Sequence, residues 1–164
     1  MMTIPITRSR QCLVADMAQT QAEILQELQE WLGTPYVHQA SQKGAGCDCL
    51  GLVRGVWRAV LGQEPVEVPP YTADWSETDR QETLWQAAQS HLVSKSPEDR
   101  QPGDILLFRM RSDAVAKHLG FVSRIGPTPS FIHAYSGHGV VESPLSTPWA
   151  RRIVACFEFP ERTS

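Results

Sequence analysis

A cysteine at the predicted start of a helix is the most reactive candidate in this chain. Asp48 precedes Cys49, and apolar residues recur at helical spacing over residues 48–61. Asp48 is suited to cap the first backbone N–H groups, which would place the Cys49 sulfur at a helix N-terminus. Unpaired N–H groups and the positive end of the helix dipole favour a thiolate there. The position therefore predicts a nucleophile, although free cysteine is also among the most buried residue types.

A nucleophilic cysteine needs a base, and the base needs a partner that fixes its tautomer. Two histidines are suitably placed for these roles. His118 opens the predicted strand 118–125, and His133 lies within the predicted strand 130–135. A helix-start cysteine followed by histidines on two successive strands is the chain order that papain-like folds use.

The geometry of the two histidines depends on the turn between their strands. If Gly126-Pro127 forms a two-residue turn, His133 lies opposite Gly120. His118 is then a diagonal neighbour on the same face, roughly 7 to 8 Å away, which two imidazole rings can bridge. A four-residue turn would instead pair His133 with Val122.

The other histidines and a second cysteine offer a competing interpretation. Cys47 and Cys49 are separated by one residue, which suggests a zinc site. Structural zinc sites, however, favour two to four residues between paired cysteines, with a second pair of ligands to match. We predict no metal and no cofactor, and we expect His38, His91 and His138 to be surface or loop residues.

The elements that must position these residues fall into two groups along the chain. Residues 1–15 alternate as in a loose strand or arm, and residues 63–77 resemble an extended aromatic loop. The predicted helices cover 16–32, 48–61 and 78–92, and the predicted strands cover 105–109, 118–125, 130–135, 140–142 and 153–159. Helices first and an antiparallel sheet second predict an α+β fold. We expect one domain over 1–164, with a loop-plus-helix insertion at 63–100.

Composition narrows the functional classes. The chain has 164 residues and a net charge of −3, and its basic residues are scattered, which argues against nucleic acid as a partner. No stretch approaches the roughly 18 apolar residues of a membrane span, and the first residues lack the apolar run of a signal peptide. Four irregularly spaced cysteines do not form a disulfide framework. We expect a protein made in the cytoplasm without a signal peptide.

Five motifs, taken in order, make the chain resemble the NlpC family of papain-like cysteine peptidases over about residues 16–142. The motifs are Gly33-Thr34-Pro35-Tyr36, Asp48-Cys49-Leu50-Gly51-Leu52-Val53, Pro102-Gly103-Asp104-Ile105-Leu106-Leu107-Phe108, His118-Leu119-Gly120-Phe121 and Phe131-Ile132-His133-Ala134. The resemblance implies a papain-like fold in which N-terminal helices, including the one bearing the cysteine, pack on a C-terminal antiparallel sheet.

The same resemblance assigns roles to single residues. It implies that Cys49 is the nucleophile, that His118 is the base and that His133 is the polar third member that orients the base. Tyr36 matches a tyrosine beside the nucleophile, and we group it with Asp48 as a candidate for binding substrate or the oxyanion. The implied activity is cleavage of the peptidoglycan stem peptide, at the bond between γ-D-glutamate and the diamino acid, without a cofactor.

A second set of motifs resembles a subgroup of that family from phage tails and gene transfer agents. These are Glu64-Pro65, Tyr71, Asp74-Trp75 and the tail from Arg151 to Pro160. The subgroup implies tail or tail-tip proteins as partners. It also implies that the protein is carried in a phage-like particle and acts in the periplasm and cell wall of the target cell.

Three alternatives remain open at this level. The same three residues could serve an amidase or acyltransferase that acts on another substrate. The fold could instead form a non-catalytic module for wall binding or tail assembly. A zinc module through Cys47 and Cys49 is the third alternative.

Overall fold

The computed structural model describes residues 9–69, 71 and 80–162. Helices precede most of the sheet, which confirms the predicted α+β class. Among the described residues the helices are α1 (Arg10–Trp31), α2 (Cys49–Val60), α3 (Thr83–His91) and α4 (Thr147–Ala150), with a short 3₁₀ helix at Pro97–Asp99. The strands are β1 (Ser41–Gln42), β2 (Gly46–Cys47), β3 (Val93–Lys95), β4 (Ile105–Phe108), β5 (His118–Arg124), β6 (Ser130–Tyr135), β7 (Gly139–Pro144) and β8 (Ile153–Glu158).

Six of these strands form one antiparallel sheet in the order β3-β8-β4-β5-β6-β7. Strands β5, β6 and β7 are sequential neighbours, because short connections join them as antiparallel hairpins. The remaining strands, β1 and β2, form a small hairpin immediately before α2. The start of α2 is thereby held close to the ordered loop that precedes it.

Apolar side chains cover both faces of the six-stranded sheet. Along β4, Ile105 and Leu107 join the larger cluster, which contains the buried sides of α1, α2 and α3. Leu106 and Phe108 alternate with them and join a smaller cluster beside Trp149 of α4. This two-sided burial explains why β4 is apolar throughout instead of alternating with polar residues.

The helix that carries the cysteine packs tightly against α1. A Cβ atom at Gly55 would lie 2.1 Å from Cζ2 of Trp31, so the indole ring of α1 fits against α2 only because position 55 is glycine. Trp31 is itself 2% exposed, and its Nε1–H donates to Glu27 Oε1 at 3.0 Å. The contact fixes the position of α2, and hence of its N-terminus, relative to the rest of the core.

Two predicted elements differ from the structure, and the edge strand β3 is an addition to the prediction. Residues 10–15 are not part of an arm: they belong to α1, whose first turn is capped by the Ser9 hydroxyl, which accepts the Cys12 N–H at 3.4 Å. The third helix is shorter than predicted and begins at Thr83; residues 78–79, like 1–8 and 72–77, lie outside the described residues. The short edge strand β3 was not predicted, because three residues become a strand only by pairing with β8.

The register between β5 and β6 follows the first of the two predicted arrangements where it affects the site. Phe121 pairs with Ile132 and Val122 with Phe131, a register that, continued, sets His133 opposite Gly120. The turn itself is not the predicted two-residue one, because a bulge precedes the pair Arg124 and Ser130. Within 9–69, 71 and 80–162, no helix combines the length and apolar character needed to cross a bilayer.

Candidate active site

Asp48 caps α2 as predicted and also holds the loop before it. Its Oδ1 atom accepts the Gly51 N–H at 2.7 Å, and its Oδ2 atom accepts the Gln39 N–H at 2.8 Å. The Tyr71 hydroxyl donates to the same Oδ2 atom. Both carboxylate oxygens therefore accept hydrogen bonds from protein groups, and only 3% of the Asp48 surface is exposed. Its predicted contact with substrate stays a prediction.

Glycine at position 51 is required for this helix start. A Cβ atom there would lie 1.8 Å from the Ala40 carbonyl oxygen, closer than any real contact. The Ala40 carbonyl also accepts the Asp48 N–H at 3.3 Å, so the loop passes directly against the first turn of α2. The close approach of these two segments fixes where Cys49 emerges.

Tyr36 is held beside the cysteine by backbone pairing. It forms an isolated parallel bridge with Cys47, in which the Val37 N–H donates to the Cys47 carbonyl at 3.1 Å and the Cys47 N–H donates to the Pro35 carbonyl at 3.0 Å. The predicted association of Tyr36 with the nucleophile is thus present in the fold. Cys47 itself is fully buried in the larger core cluster.

The two histidines meet through their ring nitrogens. His118 Nε2 lies 2.8 Å from His133 Nδ1, and the rings are nearly perpendicular, with centroids 5.1 Å apart. Gly120 makes this approach possible, because a Cβ atom there would lie 3.3 Å from His133 Cβ and 2.8 Å from the Phe131 ring. The hydrogen bond occupies Nε2 of His118 and leaves Nδ1 as the nitrogen that can serve a nucleophile.

Cys49 reaches the histidine pair at the end of the sheet where β5 begins. Its thiol donates a weak hydrogen bond of 3.6 Å to the carbonyl of Lys117, the residue immediately before His118 in the chain. Cys49, His118, Tyr36 and Tyr135 line one cavity of about 200 Å³. The structure therefore brings together the predicted nucleophile, the predicted base, its predicted partner and the predicted tyrosine.

The electrostatics of the cysteine oppose the thiolate that its helix position predicted. Burial of the thiol, followed by the Asp48 carboxylate, raises the pKa of Cys49 to about 12. Backbone N–H groups, including those of Leu50 and Leu119, pull the pKa down but do not outweigh burial. The free site therefore holds Cys49 as a neutral thiol.

The histidines are held neutral for the same reason. Burial, followed by the neighbouring His133, lowers the pKa of His118 to about 3. Burial, followed by His138, lowers the pKa of His133 to about 4. A neutral imidazole beside a neutral thiol is the resting state in which His118 can accept a proton.

Tyr36 remains a hydrogen-bond donor at any working pH. Burial, followed by the charges of Cys49, Asp48 and Cys47, raises the pKa of Tyr36 to about 12. Its hydroxyl therefore keeps its proton while negative charge develops nearby. A neutral phenol in this position can stabilise an oxyanion.

Two residues at the rim of the site extend the predicted set. Tyr71 belongs to the loop after α2, and its carbonyl accepts the His38 Nε2–H at 2.8 Å in one tautomer. The His38 and Tyr71 rings pack edge to face, with centroids 5.1 Å apart. His38 was expected in a loop without a role. Its place beside the cavity depends on this contact across 33 residues, which no local pattern encodes.

On the far side of the histidine pair lie Trp149 and Ser143, which were not predicted as site residues. The Trp149 ring packs against both histidines, with its centroid 5.7 Å from that of His118 and 5.2 Å from that of His133. The Ser143 Oγ atom lies 2.9 Å from His133 Nε2. Neither residue has a spacing that indicates a site, because only the sheet register and the docking of α4 place them there.

A cysteine at a helix N-terminus, next to paired histidines at one end of an antiparallel sheet, defines a papain-like α+β domain. A family model described as the NlpC/P60 family matches residues 33–158, and the chain belongs to that family. Association with phage tails or gene transfer agents is a finer assignment that this match does not carry.

Individual relatives agree with the family. The chain is 26% identical over 152 residues to a protein from Bacillus subtilis (strain 168) named gamma-DL-glutamyl hydrolase, covering 92% of this chain and 32% of that protein. This chain thus spans about a third of that relative.

Solved structures share the fold. One is an NLP/P60 family protein, described as similar to lipoprotein, from Staphylococcus aureus subsp. aureus Mu50. It matches with a TM-score of 0.58 and 18% sequence identity, and the match covers 97% of this chain and 45% of that chain. Another is an NlpC/P60 family protein from Bacillus cereus ATCC 10987. It matches with a TM-score of 0.58 and 20% sequence identity, and the match covers 85% of this chain and 40% of that chain.

Proposed function

We propose that this protein is a cysteine endopeptidase that cleaves the stem peptide of peptidoglycan between γ-D-glutamate and the diamino acid. The observation that carries the proposal is that His118 lines the same cavity as Cys49 and makes a hydrogen bond of 2.8 Å to the buried His133. A nucleophile, a base and a partner for the base are the parts that acyl transfer through a covalent intermediate requires.

The first half of the reaction forms an acyl-enzyme. Nδ1 of His118 takes the thiol proton as the Cys49 sulfur attacks the carbonyl carbon of the scissile bond. The backbone N–H of Cys49 and the hydroxyl of Tyr36 donate to the oxygen that becomes negative. The tetrahedral intermediate then collapses, His118 returns the proton to the departing amine, and a thioester remains on Cys49.

The second half restores the enzyme. His118 removes a proton from water, the resulting hydroxide equivalent attacks the thioester carbonyl, and the Cys49 sulfur leaves as the carboxylate product forms. His118 then returns a proton to the sulfur. Because both groups begin and end neutral, the resting state found here matches a mechanism in which proton transfer accompanies sulfur attack.

The substrate assignment rests on family membership and on one relative's name. The Bacillus subtilis relative is named gamma-DL-glutamyl hydrolase, which supports a γ-glutamyl carbonyl as the acyl donor. The bond next to a diamino acid is the one that the motif resemblance implies. An amidase or acyltransferase with the same three residues would release different products from the same cavity.

Purified sacculi provide the test. The protein should release peptides cut between γ-D-glutamate and the diamino acid, identified by mass spectrometry. Cys49→Ala should abolish release because it removes the attacking atom, whereas the matched variant Cys47→Ser should retain it. Intact stem peptides freed from glycan would instead indicate an amidase. Absence of any release would favour a non-catalytic wall-binding or assembly module.

We further propose that the protein is carried in a phage-like particle and acts on the wall of the target cell. The support is the resemblance of Glu64-Pro65, Tyr71 and the C-terminal tail to the tail-associated subgroup; Asp74-Trp75 lies outside the described residues. Tyr71 contacts the cap of the cysteine helix, so one subgroup residue reaches the site directly. Proteomics of purified particles from the producing cells tests this proposal, and consistent absence of the protein from them would refute it.

A further inference from the structure

A continuous path of side-chain hydrogen bonds crosses three strands and ends at a serine. It runs from His118 on β5 to His133 on β6 over 2.8 Å, and from His133 Nε2 to Ser143 Oγ on β7 over 2.9 Å. Its middle member, His133, is fully buried. Ser143 is only partly buried and lies at the outer end of the path.

The register of β6 and β7 places the serine there. His133 pairs directly with Val141, and Phe131 pairs with Ser143. Ser143 is therefore a diagonal neighbour of His133 on the same face of the sheet, within reach of a large side chain. Three aromatic rings also pack against the His133 ring, with centroids at 4.3 Å for Phe131, 5.2 Å for Tyr135 and 5.2 Å for Trp149.

The direction of this path decides whether His118 can work as a base. A neutral imidazole carries one proton, on either nitrogen. If His118 is to accept the Cys49 proton at Nδ1, its own proton must lie on Nε2, which then donates to Nδ1 of His133. The proton of His133 must in turn lie on Nε2, and that N–H needs an acceptor.

The opposite direction disables the site. If His133 carries its proton on Nδ1, it donates to Nε2 of His118, whose proton then occupies Nδ1. His118 would then present an N–H instead of a lone pair to Cys49. A buried imidazole N–H without an acceptor is less tolerable than a bare ring nitrogen, since orphaned buried donors are rarer than under-satisfied acceptors. Loss of the acceptor would therefore favour the disabled direction.

We propose that Ser143 is a positioning residue whose hydroxyl oxygen accepts the Nε2 proton of His133 and thereby keeps Nδ1 of His118 free to take the Cys49 proton. The kinetic consequence rests on the proposed function, but the proton positions do not. Loss of one neutral hydrogen bond changes an equilibrium by about tenfold. Ser143→Ala should therefore lower kcat on stem peptides by up to about tenfold, with KM little changed, and Ser143→Thr should restore it.

Side-chain ¹⁵N NMR reads the tautomers without any substrate. Above pH 7 the wild type should carry protons on Nε2 of both His118 and His133. Ser143→Ala should move the His133 population towards Nδ1–H, and Ser143→Thr should return it. The matched control is Ser123→Ala. It removes a strand hydroxyl that donates to Glu142 Oε1 at 2.7 Å and makes no hydrogen bond to His118 or His133 in the described residues. It should change neither the tautomers nor kcat.

The outcomes separate the two proposals. A wild-type protein without activity on sacculi would refute the proposed function, and the NMR measurement would still test Ser143. A wild-type His133 with its proton on Nδ1 would overturn the role of Ser143 whether or not the alanine variant folds. Unchanged tautomers and unchanged kcat in a folded Ser143→Ala protein would overturn it as well.

Discussion

The ionisation state of Cys49 is the sharpest consequence of the site. The helix position favours a thiolate, and a thiolate paired with a His118 imidazolium would still react near pH 6. Burial and the Asp48 carboxylate instead raise the pKa of Cys49 to about 12, against about 8.5 for a free thiol. If alkylation follows the thiolate fraction, the difference slows the reaction of Cys49 with iodoacetamide roughly a thousandfold at pH 7.5.

The chain contains its own reference thiol. Cys12 is exposed, whereas Cys47 is buried, so the rate at Cys49 can be compared with the rate at Cys12 in one sample. Quenched time points, digested with trypsin and analysed by mass spectrometry, give both rates from pH 5 to 10. Because Cys47 and Cys49 lie on one fragment between Lys43 and Arg54, fragment ions must assign the modified sulfur.

Two variants separate the physical causes. Asp48→Asn keeps an oxygen that can accept the Gly51 N–H but removes the charge, so Cys49 should react faster while Cys12 is unchanged. His118→Ala should not slow Cys49 at pH 6, because a neutral pair contains no imidazolium to lose. The reasoning would be refuted if Cys49 outpaced Cys12 at pH 6 and lost that advantage in His118→Ala, since that pattern requires a thiolate-imidazolium pair.

Three further predictions concern the histidine pair and the start of the cysteine helix. Hydrolysis of sacculi should fall by orders of magnitude in His118→Ala but less in His133→Asn, whose amide oxygen can still accept the His118 N–H; full activity of His133→Ala would contradict its role. The pKa values of about 3 and about 4 for His118 and His133 lie below the ordinary 6.5, so both take up protons on unfolding. Urea titrations should therefore show the unfolding free energy falling as the pH drops from about 6.5 towards 4. The two histidines together should contribute a slope of up to about 2.7 kcal/mol per pH unit, and His133→Asn should reduce that slope by about half. Gly51→Ala should lower the unfolding free energy by more than about 1 kcal/mol, because its Cβ would lie 1.8 Å from the Ala40 carbonyl oxygen; unchanged thermal denaturation would contradict this.

Much of the arrangement could be predicted because its causes are local. An acidic cap followed by apolar residues at helical spacing is enough to start α2 at Cys49. Alternating and apolar runs were enough to locate β4 to β8. The register that sets His133 opposite Gly120 was one of the two anticipated, although a bulge between Val122 and Arg124 precedes the turn and the turn is longer than expected.

Other features depend on partners far away in the chain. Strand β3 exists because three residues pair with β8, which lies near the end of the chain. Tyr71 reaches the cap of the cysteine helix across 23 residues. None of these contacts leaves a signal in the spacing of nearby residues.

The sequence by itself determined the candidate residues of the site, since a helix cap, a cysteine at a helix start and two strand histidines are specified by residue type and period. Only the tertiary structure decided the pKa values of these side chains and the residues that contact them. Burial of Cys49 and His118 raises one pKa and lowers the other, because removing water disfavours whichever form is charged. The register of β6 and β7 supplies Ser143, and the docking of α4 supplies Trp149. Solvent exclusion and cross-strand contacts are properties of the assembled fold, so no local pattern carries them.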